Sequence, residues 1–279
     1  METLRLCICQ IDLAWEQAEP NRRGIEQILL DQIVEPCDLI LLPEMFTTGF
    51  SMRSADLAED AATGLTLPWM QELALRHQAA IAGSIIFNEA GNYYNRFWVV
   101  TPDGSKPRHY DKRHLFRLAG EEKHYAAGHQ KLVMEFRGWQ IAFFICYDLR
   151  FPVWCRNREG ADLMVFSANW PQKRALAWNS LLPARAIENQ CYVAGINRTG
   201  CDGLGIEYGG NSAVYDFEGN VLVHLDANPH IAFVTLEKRA KEVFRRAYPF
   251  WKDGDRFEVD PTSTIFEEAK EGNTNKLIG

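Results

Sequence analysis

A thiol, a carboxylate and an ammonium each stand at the end of a short, strand-like run in this sequence. Cys146 closes Ile141-Ala-Phe-Phe-Ile145, Glu44 follows Leu41-Leu42-Pro43, and Lys112 follows His109-Tyr110-Asp111. Together they form a coherent chemical set. A carboxylate can take a thiol's proton, and a nearby cation favours the thiolate and can hold a developing oxyanion. The backbone N–H of Tyr147, one residue past the thiol, is placed to be a second oxyanion donor. If the three strands are neighbours in one sheet, their ends converge at one edge of it. Read singly, Cys146 can be a small buried hydrophobe, Glu44 a helix-start carboxylate and Lys112 a solvated charge. What sets them apart is that all three positions match.

Other residues compete for roles. Glu121 and Glu122 lie in the polar stretch before the Cys146 hairpin and read as surface charges. His114 offers a Cys–His pair as a rival to the Cys–Glu reading. His109, His114, His124 and His129 cluster in sequence, but their spacing matches no zinc pattern, so no metal is expected. No glycine-rich nucleotide fingerprint, P-loop or G-x-S-x-G elbow occurs, and no cofactor is expected. Phe46 and Trp170 follow strand ends and are candidate pocket walls, although Trp170 can equally be core packing. Arg150 and Arg198 are candidate donors for a substrate carboxylate.

The elements that must position these residues alternate along the chain. Strands are expected over 4–11, 38–43, 79–87, 93–101, 132–136, 140–146, 162–167, 191–197 and 231–236. Helices are expected from about 20 to 35, 66–77, about 152–159, 172–189 and 237–246. Hairpins turn at Gly91-Asn92, Pro102-Asp103-Gly104, Arg137-Gly138 and Glu218-Gly219-Asn220. Alternating strands and helices with hairpins mixed in predict an α/β layered domain with mixed sheets. The 279 residues carry 47% hydrophobic and 24% charged side chains, which suits a globular chain with a large core. A net charge of −7 argues against nucleic acid or an anionic membrane as partner. No secretory signal or spanning run is read, and seven cysteines without framework spacing fit a reducing cytoplasm.

Five ordered segments resemble the nitrilase (carbon–nitrogen hydrolase) superfamily. They are Leu-Leu-Pro-Glu44-Met-Phe, Tyr-Asp-Lys112-Arg-His-Leu-Phe, Ile-Cys146-Tyr-Asp-Leu-Arg-Phe-Pro, Ala-Arg-Ala-Ile-Glu188-Asn189-Gln and the Gly-Asn-Ser212 hairpin. The resemblance implies a four-layer α-β-β-α sandwich spanning residues 1–257, with 258–279 a polar extension. It implies Glu44 as base, Lys112 as oxyanion cation and Cys146 as nucleophile. It also implies a second glutamate seven residues before a glycine, which selects Glu121 by its distance from Gly128, and it implies a homodimer. Within the superfamily, Glu44-Met-Phe-Thr-Thr-Gly-Phe, His114-Leu-Phe-Arg-Leu-Ala and Ser167-Ala-Asn-Trp170-Pro are most similar to the bacterial omega-amidases. That likeness implies hydrolysis of the terminal amide of 2-oxoglutaramate, and of 2-oxosuccinamate, to the 2-oxo dicarboxylate and ammonia. The alternatives are another amidase, carbamoylase or nitrilase of the same fold, or a non-catalytic interaction protein on that scaffold.

Overall fold

The computed structural model describes residues 2–259, so the expected extension, apart from its first two positions, lies outside the described residues. Two six-stranded mixed sheets face each other. The first holds β1 (Thr3–Gln10), β2 (Leu39–Leu41), β3 (Ala80–Glu89), β4 (Asn92–Val100), β5 (Arg108–Asp111) and β14 (His230–Glu237), in the order β14-β1-β2-β3-β4-β5. The second holds β6 (Leu132–Phe136), β7 (Trp139–Ile145), β8 (Leu163–Ala168), β9 (Tyr192–Asn197), β12 (Ala213–Tyr215) and β13 (Val221–His224), in the order β13-β12-β9-β8-β7-β6. β10 (Thr199–Cys201) and β11 (Glu207–Gly209) form a separate ribbon.

Parallel pairing lies at the centre of each sheet and antiparallel pairing at the flanks. β1, β2 and β3 run parallel, as do β7, β8 and β9. Such strands are covered on both faces, which is why they read as nearly continuous apolar runs. β1 illustrates this. Leu4, Leu6 and Ile8 enter the core between the sheets, while Cys7 and Cys9 enter the outer core. That outer core is closed by Ile25 and Leu29 of α1 (Ala18–Gln32) and by Met70, Leu73 and Ala74 of α3 (Thr66–His77). A short α2 (Ser54–Leu57) lies between these helices in the chain.

On the second sheet, Trp178, Leu182 and Ala186 of α4 (Ala175–Asn189) join the core, with Ala240 and Phe244 of α5 (Lys238–Ala247) packed against it. Gly195 of β9 is required by this contact: a Cβ there would lie 2.4 Å from Leu182 and 2.8 Å from Trp178. These layers match the expected α-β-β-α order.

Two expectations differ from the structure. No helix spans 152–159. The chain instead makes a 3₁₀ turn over Cys146–Arg150 and then irregular turns. Asn157 explains the break: its side chain bonds both the N–H and the C=O of Ala161, offering the backbone an alternative to a helical ladder. The β10–β11 ribbon was also not anticipated. No helix among the described residues is long and apolar enough to cross a membrane.

Candidate active site

Cys146, Glu44 and Lys112 converge, but not from neighbouring strands of one sheet. Glu44 follows β2 and Lys112 follows β5 of the first sheet, whereas Cys146 follows β7 of the second. The site lies where the ends of two facing sheets meet. This corrects the single-edge expectation.

Cys146 starts the 3₁₀ turn with φ at +43°. A non-glycine residue held there stores about 1–3 kcal/mol of strain. Asp148 holds the turn in place. Its buried carboxylate accepts the Ile145 N–H (3.0 Å), the His114 N–H (3.0 Å) and the Tyr110 hydroxyl (2.8 Å), and it meets His114 Nδ1 at 2.8 Å. A carboxylate in the third position of a turn, reaching back to the N–H before it, is half of a capping box. Tyr147 is the second residue of the turn, so its N–H has no acceptor within the turn.

Lys112 is buried and donates to Glu44 Oε1 (2.9 Å) and to both oxygens of Glu121 (3.0 Å each). Burial alone would lower its pKa, but Glu121 and Glu44 outweigh that and hold it well above the ordinary lysine value. Its backbone is pinned on both sides. Its N–H donates to the Asn95 carbonyl, and its carbonyl accepts the Gly128 N–H. A Cβ on Gly128 would sit 2.1 Å from the Asp111 carbonyl oxygen, so only glycine allows this approach.

Glu44 is fully buried. Oε1 also accepts Asn95 Nδ2 (2.7 Å), and Oε2 accepts the Asn169 N–H (2.8 Å). The Glu44 carboxylate also acts electrostatically on the Cys146 thiol. Burial, then Glu44, push that thiol far up, and Lys112 opposes them. A neutral thiol beside a carboxylate is the resting arrangement. Burial also raises Glu121, with Lys112 opposing and Glu44 adding to the rise. Two carboxylates around one ammonium leave a net negative buried set, which favours keeping a proton there.

Glu44, Lys112 and Cys146 line a cavity of about 380 Å³, and Glu121 lies behind Lys112, outside that lining. Tyr147 and Trp170 also line the cavity. Trp170 is also packed against Trp178 at 5.4 Å, so it serves the core as well. Phe46 does not line the cavity. Met45 adopts φ +44° after Glu44, and Phe46 is buried in the outer core against Gly83 and Trp69. Phe50 supplies that wall instead, its ring 4.9 Å from Lys112 Nζ.

His114 is bonded to Asp148, stacks on Phe151 at 3.7 Å and does not line the cavity, which removes the support for a Cys–His pair. Arg198 is fully buried elsewhere, bonded to Asp12 and to the Leu13 and Thr199 carbonyls. Arg150 lines the cavity, and Arg174, which the sequence did not single out, joins it. Among the described residues no group of three or more His, Cys, Asp and Glu is arranged to hold a metal ion. Asn95, Asn169 and Asp148 also went unnoticed. Asn95 lies inside β4, while Asp148 and Asn169 follow strand ends, where Asn and Asp are ordinary turn chemistry; only tertiary contacts give these three their roles.

Two facing mixed sheets with helical outer layers, and a buried Glu–Lys–Cys set at their ends, define the class. The chain belongs to the carbon–nitrogen hydrolase family, whose profile matches residues 5–243. It is 43% identical over 258 residues to the omega-amidase YafV of Yersinia enterocolitica, covering 92% of this chain and 99% of that one. It is 32% identical over 247 residues to the 2-oxoglutaramate amidase of Bacillus subtilis, covering 88% and 95%. A crystal structure of a carbon–nitrogen hydrolase superfamily protein from Xanthomonas campestris, with an arsenic adduct in its active site, superposes with a TM-score of 0.89 at 42% identity. That match covers 93% of this chain and 100% of the other.

Proposed function

We propose that this chain is an omega-amidase that hydrolyses the terminal amide of 2-oxoglutaramate, and of 2-oxosuccinamate, through a thioester on Cys146. The observation that carries the reading is the Cys146 thiol against Glu44, with Lys112 beside it, at the wall of one cavity. The printed names of the Yersinia and Bacillus relatives supply the substrate class.

Glu44 takes the thiol proton as Sγ attacks the amide carbon. Lys112 Nζ and the Tyr147 N–H hold the tetrahedral oxyanion. Glu44 returns the proton to nitrogen, the C–N bond breaks and ammonia leaves. Glu44 then deprotonates water, which attacks the thioester, and the proton goes back to sulfur. Glu121 acts on Lys112. Its bidentate contact keeps the ammonium charged and aimed, although Lys112 lies in a buried site. The substrate's far carboxylate meets Arg150 and Arg174. Both guanidinium groups line the cavity, lie over Trp170 and Phe116 at 5.0 Å each, and make no ion pair among the described residues. The chemistry is hydrolytic and uses no cofactor.

Free cysteines throughout the described chain support a cytoplasmic setting. A homodimer is supported by apolar side chains exposed on the helical outer layer of the second sheet, among them Ile187, Tyr248 and Phe250. Sedimentation velocity tests the dimer.

Ammonia release from a panel tests the activity. The expected order places 2-oxoglutaramate and 2-oxosuccinamate above glutamine and simple aliphatic amides in kcat/KM. Replacing Arg174 by Leu should raise KM for 2-oxoglutaramate roughly tenfold, with a smaller change in kcat. A nitrile or an N-carbamoyl amine turned over faster than either 2-oxo amide would replace this reading.

A further inference from the structure

Several buried side-chain nitrogens and oxygens lack a hydrogen-bond partner among the described residues. Asn169 Oδ1 is the one that belongs to a residue lining the cavity. Asn169 is only 4% exposed, so this acceptor is not satisfied at an open surface. Buried acceptors left unmet are uncommon, and each calls for a reason.

The orientation of the side chain is fixed by its other end. Nδ2 donates to the Glu44 carbonyl oxygen at 2.6 Å. Exchanging the two ends would set one carbonyl against another, so the free atom is the oxygen. The residue is also close to the reacting groups. Its backbone N–H donates to Glu44 Oε2 at 2.8 Å, and Glu44, Cys146 and Asn169 line the same cavity. Asn169 is thus held against the base at its backbone N–H and Nδ2, and its Oδ1 is a fixed acceptor with no donor among the described residues.

We infer that Asn169 Oδ1 accepts a hydrogen bond from the carboxamide nitrogen of the substrate and makes the site selective for a primary amide. This rests on the amidase reading above and adds a residue to it. A primary amide presents two N–H donors at the atom that must leave. Holding one of them at Oδ1 fixes the rotation of the nitrogen. When Sγ adds to the carbon and the nitrogen becomes pyramidal, its new lone pair then faces the protonated Glu44. The proton passes from Glu44 to nitrogen, the C–N bond breaks and ammonia departs. An ester of the same acid offers only lone pairs at that position. Oδ1 would face another acceptor, and a buried polar group left unpaired discriminates strongly against such a ligand.

The amide of 2-oxoglutarate and the corresponding ω-methyl ester give the same acyl-enzyme on Cys146, so their kcat/KM values compare only how that acyl-enzyme forms. Wild-type protein is expected to favour the amide after correction for the intrinsic reactivity of each substrate. In Asn169→Ala, the amide-to-ester ratio of kcat/KM should fall roughly tenfold or more. Asn169→Asp keeps an acceptor at this position. It should retain the wild-type ratio more closely than Asn169→Ala, even as its absolute rates drop beside Glu44, and it covers the case in which the alanine variant does not fold. A displaced Glu44 alone would cost the amide more than the ester, because Glu44 also protonates the leaving nitrogen. Asn95→Ala, which removes another donor to Glu44 Oε1, sets that baseline. A ratio that falls no further in Asn169→Ala than in Asn95→Ala would overturn the inference. If wild-type protein releases ammonia from neither 2-oxo amide, the functional reading fails instead. The same amide-to-ester comparison is then made with whichever short primary amide is turned over.

Discussion

At the scale of single residues, the account depends on where one proton resides. The Cys146 thiol is pushed up by burial and by Glu44. It therefore rests neutral, and in the proposed mechanism it is ionised only as Glu44 takes its proton. Glu121 is the other raised acid. Its folded-state pKa lies above its unfolded value, so the folded chain binds the proton more tightly. That contribution to stability is complete below the unfolded pKa and is lost as pH rises through the folded one. Glu121→Gln has no such proton to lose. The unfolding free energy of Glu121→Gln minus that of wild type should therefore increase with pH across that window, as read from urea melts at a series of pH values. Activity should fall in the same variant, because Lys112 loses its bidentate carboxylate.

At the scale of elements, loops and strand ends set the site geometry. Gly128 shows how little slack they have. It donates to the Lys112 carbonyl and packs on the Asp111 backbone, where a Cβ would sit 2.1 Å from the carbonyl oxygen. Gly128→Ala should cost about 2 kcal/mol or more in urea unfolding and displace the end of β5. Its kcat should drop more than its KM rises if Lys112 holds the oxyanion as proposed. The Glu121–Gly128 spacing was legible in the sequence as a family resemblance, and the structure supplies its physical content. The strands before Glu44 and Cys146 were legible too, because buried parallel strands are apolar on both faces. The segment after Cys146 was not. Pro152 and the residues after it have a helical pattern, but the Asn157 N–H goes to Asn189 Oδ1 and its side chain ties up both backbone groups of Ala161. Phe46 was assigned to the cavity because it follows a strand end, and the positive φ at Met45 was not visible in the residue types.

At the scale of the whole molecule, catalytic geometry and sheet packing are one problem. Glu44 and Lys112 come from one sheet, and Cys146 and Asn169 from the other. Local pattern could reveal each strand, but not which sheet it joins, since that depends on pairings far apart in sequence. The inter-sheet core sets the spacing between the two halves of the site. Phe97 of β4 meets Phe143 of β7 across it, with ring centroids 5.2 Å apart. Phe143→Ala should cost about 3–5 kcal/mol of stability. It should also reduce kcat at temperatures where the protein remains folded, as the sheets relax toward the cavity it leaves.

The central claim is that Cys146 is acylated by a terminal amide. It is tested most directly by acid-quenching the protein during turnover of 2-oxoglutaramate and analysing its peptides by mass spectrometry. The account predicts a 2-oxoglutaryl adduct on the peptide carrying Cys146, and neither adduct nor ammonia with Cys146→Ala. Ammonia release that persists in Cys146→Ala would contradict it.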